Sequence, residues 1–485
     1  MTRNVNRNVI SAKPPLEHIP AAYSALVLKG VQPLLPFWMR WQTNLQEIEA
    51  CRVDTLVELF EAFQSGNTRF LMAFRHPSPE DAYCLARLLW QIVPTTAQKM
   101  GVRLPGPVHA HFIYDRGIPL WAGRWISWLY SRLGGTSIQR GKLDLVALRA
   151  ARALFANGEF PMAAAPEGGN NGHNEIVSPL EPGIAQLGFW CVDDLQKTGR
   201  DEQVVIVPLG IQYRYLTPPW TAVEGLLSEL EQDSGLPEGV EIASDEILTA
   251  PLPDIGLTQA KTAELYSRLY RLATHLLSLM EGYYRKFYRV SLEENVLEPQ
   301  DTQTSATALT PNAKLAARLQ TLLDAALQVA EDYFGIPPKG SVIDRCRRLE
   351  QAGWERIFRE DLKDRTLPPV ERGLADRIAE EAELRMWHMR IVESFVAVTG
   401  RYVIEKPTAE RFAETVLLMR DMIARIEGKN PFPRPQLGQQ QAILTVGEPI
   451  SVSDRWADYK KSRRRAVDSL TQDLQTALEG LIIRE

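Results

Sequence analysis

Cysteine is scarce in this chain of 485 residues. Four are present and none belongs to a C-x-x-C pair: Cys51, Cys84, Cys191 and Cys346. This usage predicts a reducing compartment and argues against a cysteine-based zinc site.

Runs of about 18 uncharged apolar residues are also missing, so no transmembrane helix is predicted. Residues 1–15 are polar and lack the apolar core of a signal peptide, so we expect a cytoplasmic protein, with peripheral membrane contact as a further possibility.

An excess of positive charge is absent as well. The chain has 55 Lys and Arg against 60 Asp and Glu, a net charge of −5. The chain lacks the net positive charge that is typical of nucleic-acid-binding proteins, so no nucleic-acid partner is expected. The most apolar stretch, residues 23–41, contains Lys29 and Arg40 and is interrupted by Pro33 and Pro36. It is compatible with a helix lying on a membrane surface and with an ordinary helix packed on the domain.

What the chain does have is a clear pattern of secondary structure. Apolar residues make up 45% and charged residues 24%, as in globular proteins. Strand and helix signals alternate over residues 68–215, helical signals alone follow, and a strand signal returns at residues 442–450. Such alternation indicates an α/β layer structure. We therefore predict an α/β fold with a mixed sheet flanked by helices and a large all-helical insertion.

The same pattern suggests four segments. Residues 1–49 are predicted to be an N-terminal arm and amphipathic helix, 50–250 an α/β domain, 251–435 a helical insertion, and 436–485 a strand and helix that rejoin the α/β domain. Strands are predicted at residues 70–74, 108–114, 137–140, 160–165 and 203–211. Helices are predicted at residues 79–93, 119–133, 144–157 and 182–195, with two more between 21 and 64.

A histidine and an aspartate stand on either side of a proline-bearing turn at residues 70–81. His76 and Asp81 are five positions apart, and a helix starting at Pro79 would let Asp81 face back towards His76. A carboxylate there can hold the imidazole in one tautomer, as a general base requires. The alternative is that residues 78–81 are simply a helix start and His76 a loop residue.

Two further segments lie at predicted strand ends, where sites form in α/β sheets. Gly134 precedes a short strand that leads to Arg140. Pro166-Glu167-Gly168-Gly169 follows the strand at 160–165 and combines a carboxylate with two glycines. Glycines leave backbone N–H groups open to an oxygen-rich ligand.

Together these segments resemble the glycerolipid acyltransferases of the lysophosphatidate acyltransferase type. Four motifs carry the resemblance: Arg75-His76-Pro77-Ser78-Pro79-Glu80-Asp81 corresponds to the family's Asn-His-x-Ser-x-x-Asp, and Gly134 to Arg140 corresponds to its Gly-x-x-x-x-x-Arg. The third motif, Pro166-Glu167-Gly168-Gly169-Asn170, corresponds to Pro-Glu-Gly-Thr-Arg. The fourth, Val207-Pro208-Leu209-Gly210-Ile211, corresponds to a strand that contains Val-Pro. The resemblance covers roughly residues 50–220 and 440–485, and the order of the four motifs makes it specific.

The resemblance implies a mechanism and a fold of the glycerol-phosphate acyltransferase kind. His76 would take the proton of a hydroxyl on a lipid acceptor, with Asp81 orienting His76. The acyl donor would be a thioester of coenzyme A or acyl carrier protein, and neither a metal nor a cofactor is implied. The residues implied to contact the substrates are Arg75, Ser78, Arg140, Glu167, Gly168, Gly169 and Asn170.

Two departures from the family pattern concern the acceptor. Arg75 replaces the family's asparagine, and Gly169-Asn170 replaces the Thr-Arg of the third motif. The family arginine is associated with the acceptor's phosphate, and a neutral Asn170 cannot supply that charge-assisted bond. We therefore expect a neutral lipid alcohol as acceptor, unless Arg75 or Arg140 takes over the phosphate.

Other interpretations remain open from the sequence. His109 and His111 face the same side of a strand, and with His173 they could form the metal site of a hydrolase. They could equally be hydrogen-bonded core residues. A third interpretation is a non-catalytic relative whose helical insertion binds a partner. The tryptophans at 121, 125 and 128 have helical spacing, which suits the core, an acyl pocket or a lipid surface.

Overall fold

The computed structural model describes residues 10–139, 144–236, 257–292, 311–363, 365–395 and 402–483. Its contacts divide the chain into two compact units. One, the sheet unit, comprises Glu17–Thr217 and Gly438–Glu485. The other, the helical unit, comprises Met1–Leu16 and Pro218–Leu437. The predicted α/β class is thus confirmed, as a mixed, mostly parallel sheet flanked by helices and a large all-helical region.

The sheet contains eight strands. They are β1 (Leu45–Cys51), β2 (Thr68–Phe74), β3 (His111–Asp115), β4 (Gly135–Ile138), β5 (Met162–Ala164), β6 (Gln203–Tyr215), β7 (Gln440–Val446) and β8 (Ile450–Ser451). Their order is β1-β7-β6-β2-β5-β3-β4, with β8 paired to β6. Among the strands that the structure describes, the β6–β7 and β6–β8 pairs are antiparallel and the other pairs are parallel. The end of the chain therefore supplies a strand to the interior of the sheet.

Helices cover both faces of this sheet. They are α1 (Ala25–Val31), α2 (Leu35–Gln42), α3 (Val53–Gln64), α4 (Asp81–Arg87), α5 (Val93–Met100), α6 (Ile118–Ala122), α7 (Arg124–Arg132), α8 (Leu145–Asn157), α9 (Gly183–Lys197), α17 (Trp456–Lys461) and α18 (Arg463–Gly480). The helical unit contains α10 (Trp220–Asp233), α11 (Gln259–Tyr283), α12 (Pro311–Phe334), α13 (Val342–Ile357), α14 (Pro369–Phe395), α15 (Tyr402–Glu405) and α16 (Ala409–Ile426).

Two apolar cores fix the sheet between its helix layers. On one face α2, α3, α4 and α5 pack on the sheet around Phe60 and Phe70. On the other face α8, α9 and α18 pack around Phe155 and Phe189. The central strands β2 and β6 are buried along almost their whole length, which explains their continuous apolar sequences. A rigid central pair of strands is the platform for the loops described below.

Strand β1 was not predicted, because residues 21–64 had been assigned to helices. Its sequence, Leu-Gln-Glu-Ile-Glu-Ala-Cys, contains two glutamates that favour helix, and the apolar alternation is short. The strand forms because Ala50 and its neighbours pair with Leu444 and the rest of β7, far away in the chain. Long-range pairing overrides local propensity here.

Other predicted bounds also need correction. The helix predicted at 119–133 is divided into α6 and α7 at Gly123, whose φ of +89° interrupts helical geometry. The helix predicted from Pro79 begins at Asp81. The division near residue 250 differs from the observed one, because α10 belongs to the helical unit, where Trp220 packs edge-on against Phe412 at 5.5 Å between ring centroids.

The helical unit has its own apolar core, built mainly from α11, α12, α13 and α14. A buried ion pair lies within it: Arg345 donates to both carboxylate oxygens of Glu331, each at 2.7 Å. Within the described part of the chain, no helix of either unit is both long and apolar enough to cross a membrane.

Candidate functional site

The site is built where two neighbouring parallel strands end. β2 leads directly into the turn containing His76, and β5 leads into the loop that begins at Pro166. The two strands pair in parallel register, Ala73 with Ala164, so their carboxyl ends lie at the same edge of the sheet. This is the position at which open α/β sheets bind ligands.

His76 and Asp81 form a hydrogen-bonded pair. His76 Nδ1 lies 2.8 Å from Asp81 Oδ2. Because a carboxylate only accepts, the bond places a proton on Nδ1 and leaves the lone pair of a neutral imidazole on Nε2. The His76 side chain is 29% exposed and the Asp81 side chain fully buried. The pair therefore has the geometry of a general base oriented by a buried carboxylate.

Asp81 is held by two further donors. The backbone N–H of Ser78 donates to Oδ2 at 3.1 Å, and the Tyr213 hydroxyl donates to Oδ1. Tyr213 was not singled out from the sequence. It lies in the part of β6 that extends beyond the end of β2, on the same side of the strand as Leu209 and Ile211. An aromatic residue that continues an apolar alternation reads as core, so only its hydroxyl could have hinted at the site.

A second carboxylate, Glu167, ties the two loops together. Its Oε1 accepts the backbone N–H of His76 at 3.0 Å, and its Oε2 accepts the Ser178 N–H and the Asn171 side-chain amide, both at 2.8 Å. The Arg75 guanidinium lies beside it, with Nε 3.7 Å from Oε1. Glu167 thus fixes the turn that carries His76 relative to residues 166–178.

The structure does not support Arg75 as a ligand of substrate. The side chain is fully buried. Its guanidinium donates to the carbonyls of His173 at 3.0 Å, Ile176 at 2.5 Å and Asn174. A guanidinium has five donors in a fixed fork, and these are directed into residues 173–176 and towards Glu167. Arg75 therefore holds the loop, and these contacts do not favour the alternative in which it takes over an acceptor phosphate.

The glycine segment after Glu167 forms a tight turn. Gly168 has a φ of +73°, a backbone conformation that favours glycine, and a Cβ there would have to displace the Glu181 carboxylate. Gly169 is half-buried and Asn170 exposed at the surface of the turn. The Asn170 side-chain oxygen accepts the N–H of Gly172 at 2.8 Å. Residues 168–172, Gly-Gly-Asn-Asn-Gly, contain no cationic side chain. Arg140, the remaining candidate for a phosphate ligand, lies outside the described residues.

Glu80 adds a titratable group beside the pair. Burial and then the charge of Asp81 raise the pKa of Glu80 to about 7. Its carboxyl therefore carries a proton part of the time near neutral pH, which limits repulsion with Asp81. Ser78 Oγ accepts the Glu80 N–H at 3.2 Å, so the serine shapes the turn before α4.

The histidines proposed as metal ligands are hydrogen-bonded elsewhere. His109 Nε2 contacts the Leu133 carbonyl at 2.8 Å, and its Nδ1 accepts from Trp90. His111 Nδ1 contacts the Gly134 carbonyl at 3.0 Å. Burial lowers the pKa of His109 to about 4, as for a neutral core histidine.

His173 lies in the loop after β5, where its carbonyl accepts from Arg75. Among the residues that the structure describes, no group of three or more His, Cys, Asp or Glu side chains is arranged to hold a metal ion. The metal-dependent interpretation of these three histidines is therefore not supported.

Comparison with known proteins adds no assignment: no protein-family model, no curated protein and no solved structure matches this chain. The geometry of the site and its four sequence motifs are therefore the basis for assigning a function.

Proposed function

We propose that the protein is an O-acyltransferase that moves a fatty acyl group from an acyl thioester to a hydroxyl of a lipid acceptor, on a fold of the glycerol-phosphate acyltransferase kind. The observation that carries the proposal is the pair of His76 Nδ1 and Asp81 Oδ2 at 2.8 Å, with the imidazole partly exposed. The order of the motifs along the chain supports the acyltransferase class over other reactions that use a general base.

The proposed reaction needs only this pair and the two substrates. His76 Nε2 takes the proton of the acceptor hydroxyl as its oxygen bonds to the thioester carbonyl carbon. The tetrahedral intermediate collapses, the carbon–sulfur bond breaks, and the departing thiolate takes the proton from His76. Asp81 stabilises the imidazolium between these steps. The products are an ester and a free thiol of coenzyme A or acyl carrier protein.

A screen of purified protein with acyl thioesters and lipid hydroxyl acceptors tests the proposal. Thiol release that depends on acceptor and disappears in His76→Ala is the expected result. A chain that binds lipid or protein but shows no acceptor-dependent thiol release with any pair would instead favour the non-catalytic interpretation, in which the helical unit binds a partner.

We expect a neutral lipid alcohol to be a better acceptor than lysophosphatidate. A phosphate monoester carries close to two negative charges and needs cations or several N–H donors in a dry pocket. Asn170 is neutral, and Arg75 is buried against Glu167 and the loop carbonyls. The measurement is kcat/KM for both acceptors at one fixed acyl donor.

The matched variant for this prediction is Arg140→Ala, since Arg140 is the cation that the motif would bring to the phosphate. Equal or better use of lysophosphatidate, lost in Arg140→Ala, would contradict the preference. It would show that one arginine suffices for the phosphate.

An exposed aromatic surface supports a lipid acceptor drawn from a bilayer. Phe37 and Trp41 of α2 are 73% and 79% exposed, and Trp125 and Trp128 of α7 are also exposed. The segments Ala25–Gln42 and 118–132 contain no acidic residue. Tryptophan with lysine and arginine is typical of the membrane interface.

This aromatic surface lies beside the site. The chain just before α1 bonds to the end of α7, with the Ser24 N–H 2.8 Å from the Arg132 carbonyl. Trp38 Nε1 donates to the hydroxyl of Tyr83 at 2.9 Å, and Tyr83 is two residues after Asp81 in α4. A bilayer bound here would present its lipids close to His76.

Replacing Phe37 and Trp41 together by serine should weaken binding to vesicles containing phosphatidylglycerol by about tenfold or more, because each large apolar side chain contributes on the order of 1.5–3 kcal/mol when fully buried. Co-sedimentation with the vesicles measures this loss of binding. The matched control is Leu145→Ser with Val146→Ser, which are exposed on α8 at the opposite face of the sheet. Equal losses in both double variants would argue against a defined lipid surface.

A further inference from the structure

The phenol of Tyr213 is the buried partner of the His76–Asp81 pair. Tyr213 is 4% exposed, its hydroxyl donates to Asp81 Oδ1, and the Cys84 sulfur lies 3.5 Å from the same hydroxyl. Burial, and then the charge of Asp81, hold the pKa of Tyr213 well above its ordinary value. The hydroxyl therefore keeps its proton and remains a donor to the carboxylate.

We propose that Tyr213 is a positioning residue: it fixes the Asp81 carboxylate in the orientation in which Oδ2 accepts from His76, and so sets the tautomer of the imidazole. The inference rests on the proposed role of His76 as general base. The torsion that turns a carboxylate about its own axis is soft. Asp81 is fully buried, so protein donors must hold each oxygen in place: Ser78 N–H on Oδ2 and Tyr213 on Oδ1.

Tyr213 is itself held in place by the sheet. It pairs with Ala442 in the antiparallel ladder between β6 and β7. Its N–H donates to the Asn174 side-chain oxygen at 2.7 Å, in the loop whose carbonyls bind Arg75. The hydroxyl is thus delivered to Asp81 from a rigid strand, which is what a positioning group needs.

Other charged groups near His76 stay unchanged when only the Tyr213 hydroxyl is removed. Glu80 lies beside Asp81, immediately before α4, and Glu167 accepts the N–H of His76 from the loop after β5. Arg75 precedes His76 and is directed to Glu167. A change in the tautomer of His76 in the Tyr213→Phe variant therefore reports on the missing hydrogen bond.

The experiment is nuclear magnetic resonance of the full chain labelled with ¹⁵N-histidine, which reports the tautomer of each imidazole. The chain has seven histidines, and the His76 signal is the one absent from His76→Ala. In the wild type, neutral His76 should carry its proton on Nδ1. In Tyr213→Phe we expect a mixture of tautomers and a kcat about ten- to a hundredfold lower at similar KM.

The control is Tyr114→Phe. Tyr114 is also buried, and its hydroxyl has no hydrogen-bond partner among the described residues, so the same atom is removed without a change at Asp81. This variant should retain the wild-type tautomer of His76 and the wild-type kcat. A thermal melt of both variants compares their stability.

Each remaining outcome overturns the proposal. A Tyr213→Phe protein in which His76 keeps the wild-type tautomer would show that the hydroxyl does not position the carboxylate, even if kcat fell. An Nε2-protonated His76 in the wild type would refute the geometry without any variant. These signals need no substrate, so they separate failure of this inference from failure of the acyltransferase assignment.

Discussion

Replacing His76 by alanine is expected to lower kcat/KM for acyl transfer by on the order of a hundredfold to ten-thousandfold, the usual contribution of a general base. The chain should stay folded, because the side chain is partly exposed and its described hydrogen bond is the one to Asp81. The Glu167 bond uses the backbone N–H of residue 76 and survives the change. Initial rates of thiol release measure the loss of activity, and a thermal melt shows whether the variant stays folded.

Two further variants sharpen this test. Asp81→Asn should lower kcat/KM by a smaller factor than His76→Ala does, since the imidazole is still present. His18→Ala is the matched control, because His18 is half-buried in the same unit and its Nε2 contacts Thr136 Oγ1 at 3.1 Å, outside the site. Wild-type turnover in His76→Ala on a verified substrate would mean that the proposed mechanism is wrong.

Replacing Arg75 by methionine is expected to destabilise the sheet unit by about 3–5 kcal/mol, because a buried carboxylate, Glu167, loses its cation. Both side chains are essentially inaccessible to water, with 1% and 0% exposure. The carbonyls of residues 173–176 lose their donors at the same time. Urea unfolding followed by circular dichroism measures the free energy of unfolding.

The control for Arg75→Met is Lys197→Met. Lys197 pairs with Asp193 at the surface and is 65% exposed, and such pairs contribute at most about 1 kcal/mol. Similar small effects for both variants would show that Arg75 does not hold the loop. It would then be available to a ligand, as the sequence alone suggested.

The fold was predictable wherever local patterns agree with tertiary packing. The apolar strands β2 and β6 and the capped helix α8, whose N-cap Asp144 accepts from the Ala147 N–H at 3.1 Å, were located from sequence. Strand β1 was not, because its partner β7 lies at the other end of the chain. A local pattern cannot reveal a pairing that depends on so distant a segment.

In the site, too, contacts between residues close in sequence were predictable, and contacts that depend on tertiary packing were not. His76 and Asp81 are near each other in sequence, so their pairing across one turn could be inferred. The contact between Tyr213 and Asp81 depends on how far β6 extends past β2 in the sheet. The burial of Arg75 depends on residues 173–176 folding over it. In the sequence, an arginine beside the base reads as an exposed cation, and only the folded loop shows otherwise.

The position of β7 between β1 and β6 has a consequence for biosynthesis. β1 ends at Cys51 and the strand it pairs with begins at Gln440, so about 390 residues are translated between the two. At about 5–20 residues per second, the wait is on the order of 20–80 s. During that time β1 and the free edge of β6 are open to wrong partners, including other nascent chains. A product truncated before β7 would keep that edge of β6 open, and we expect chaperones and proteases to remove it.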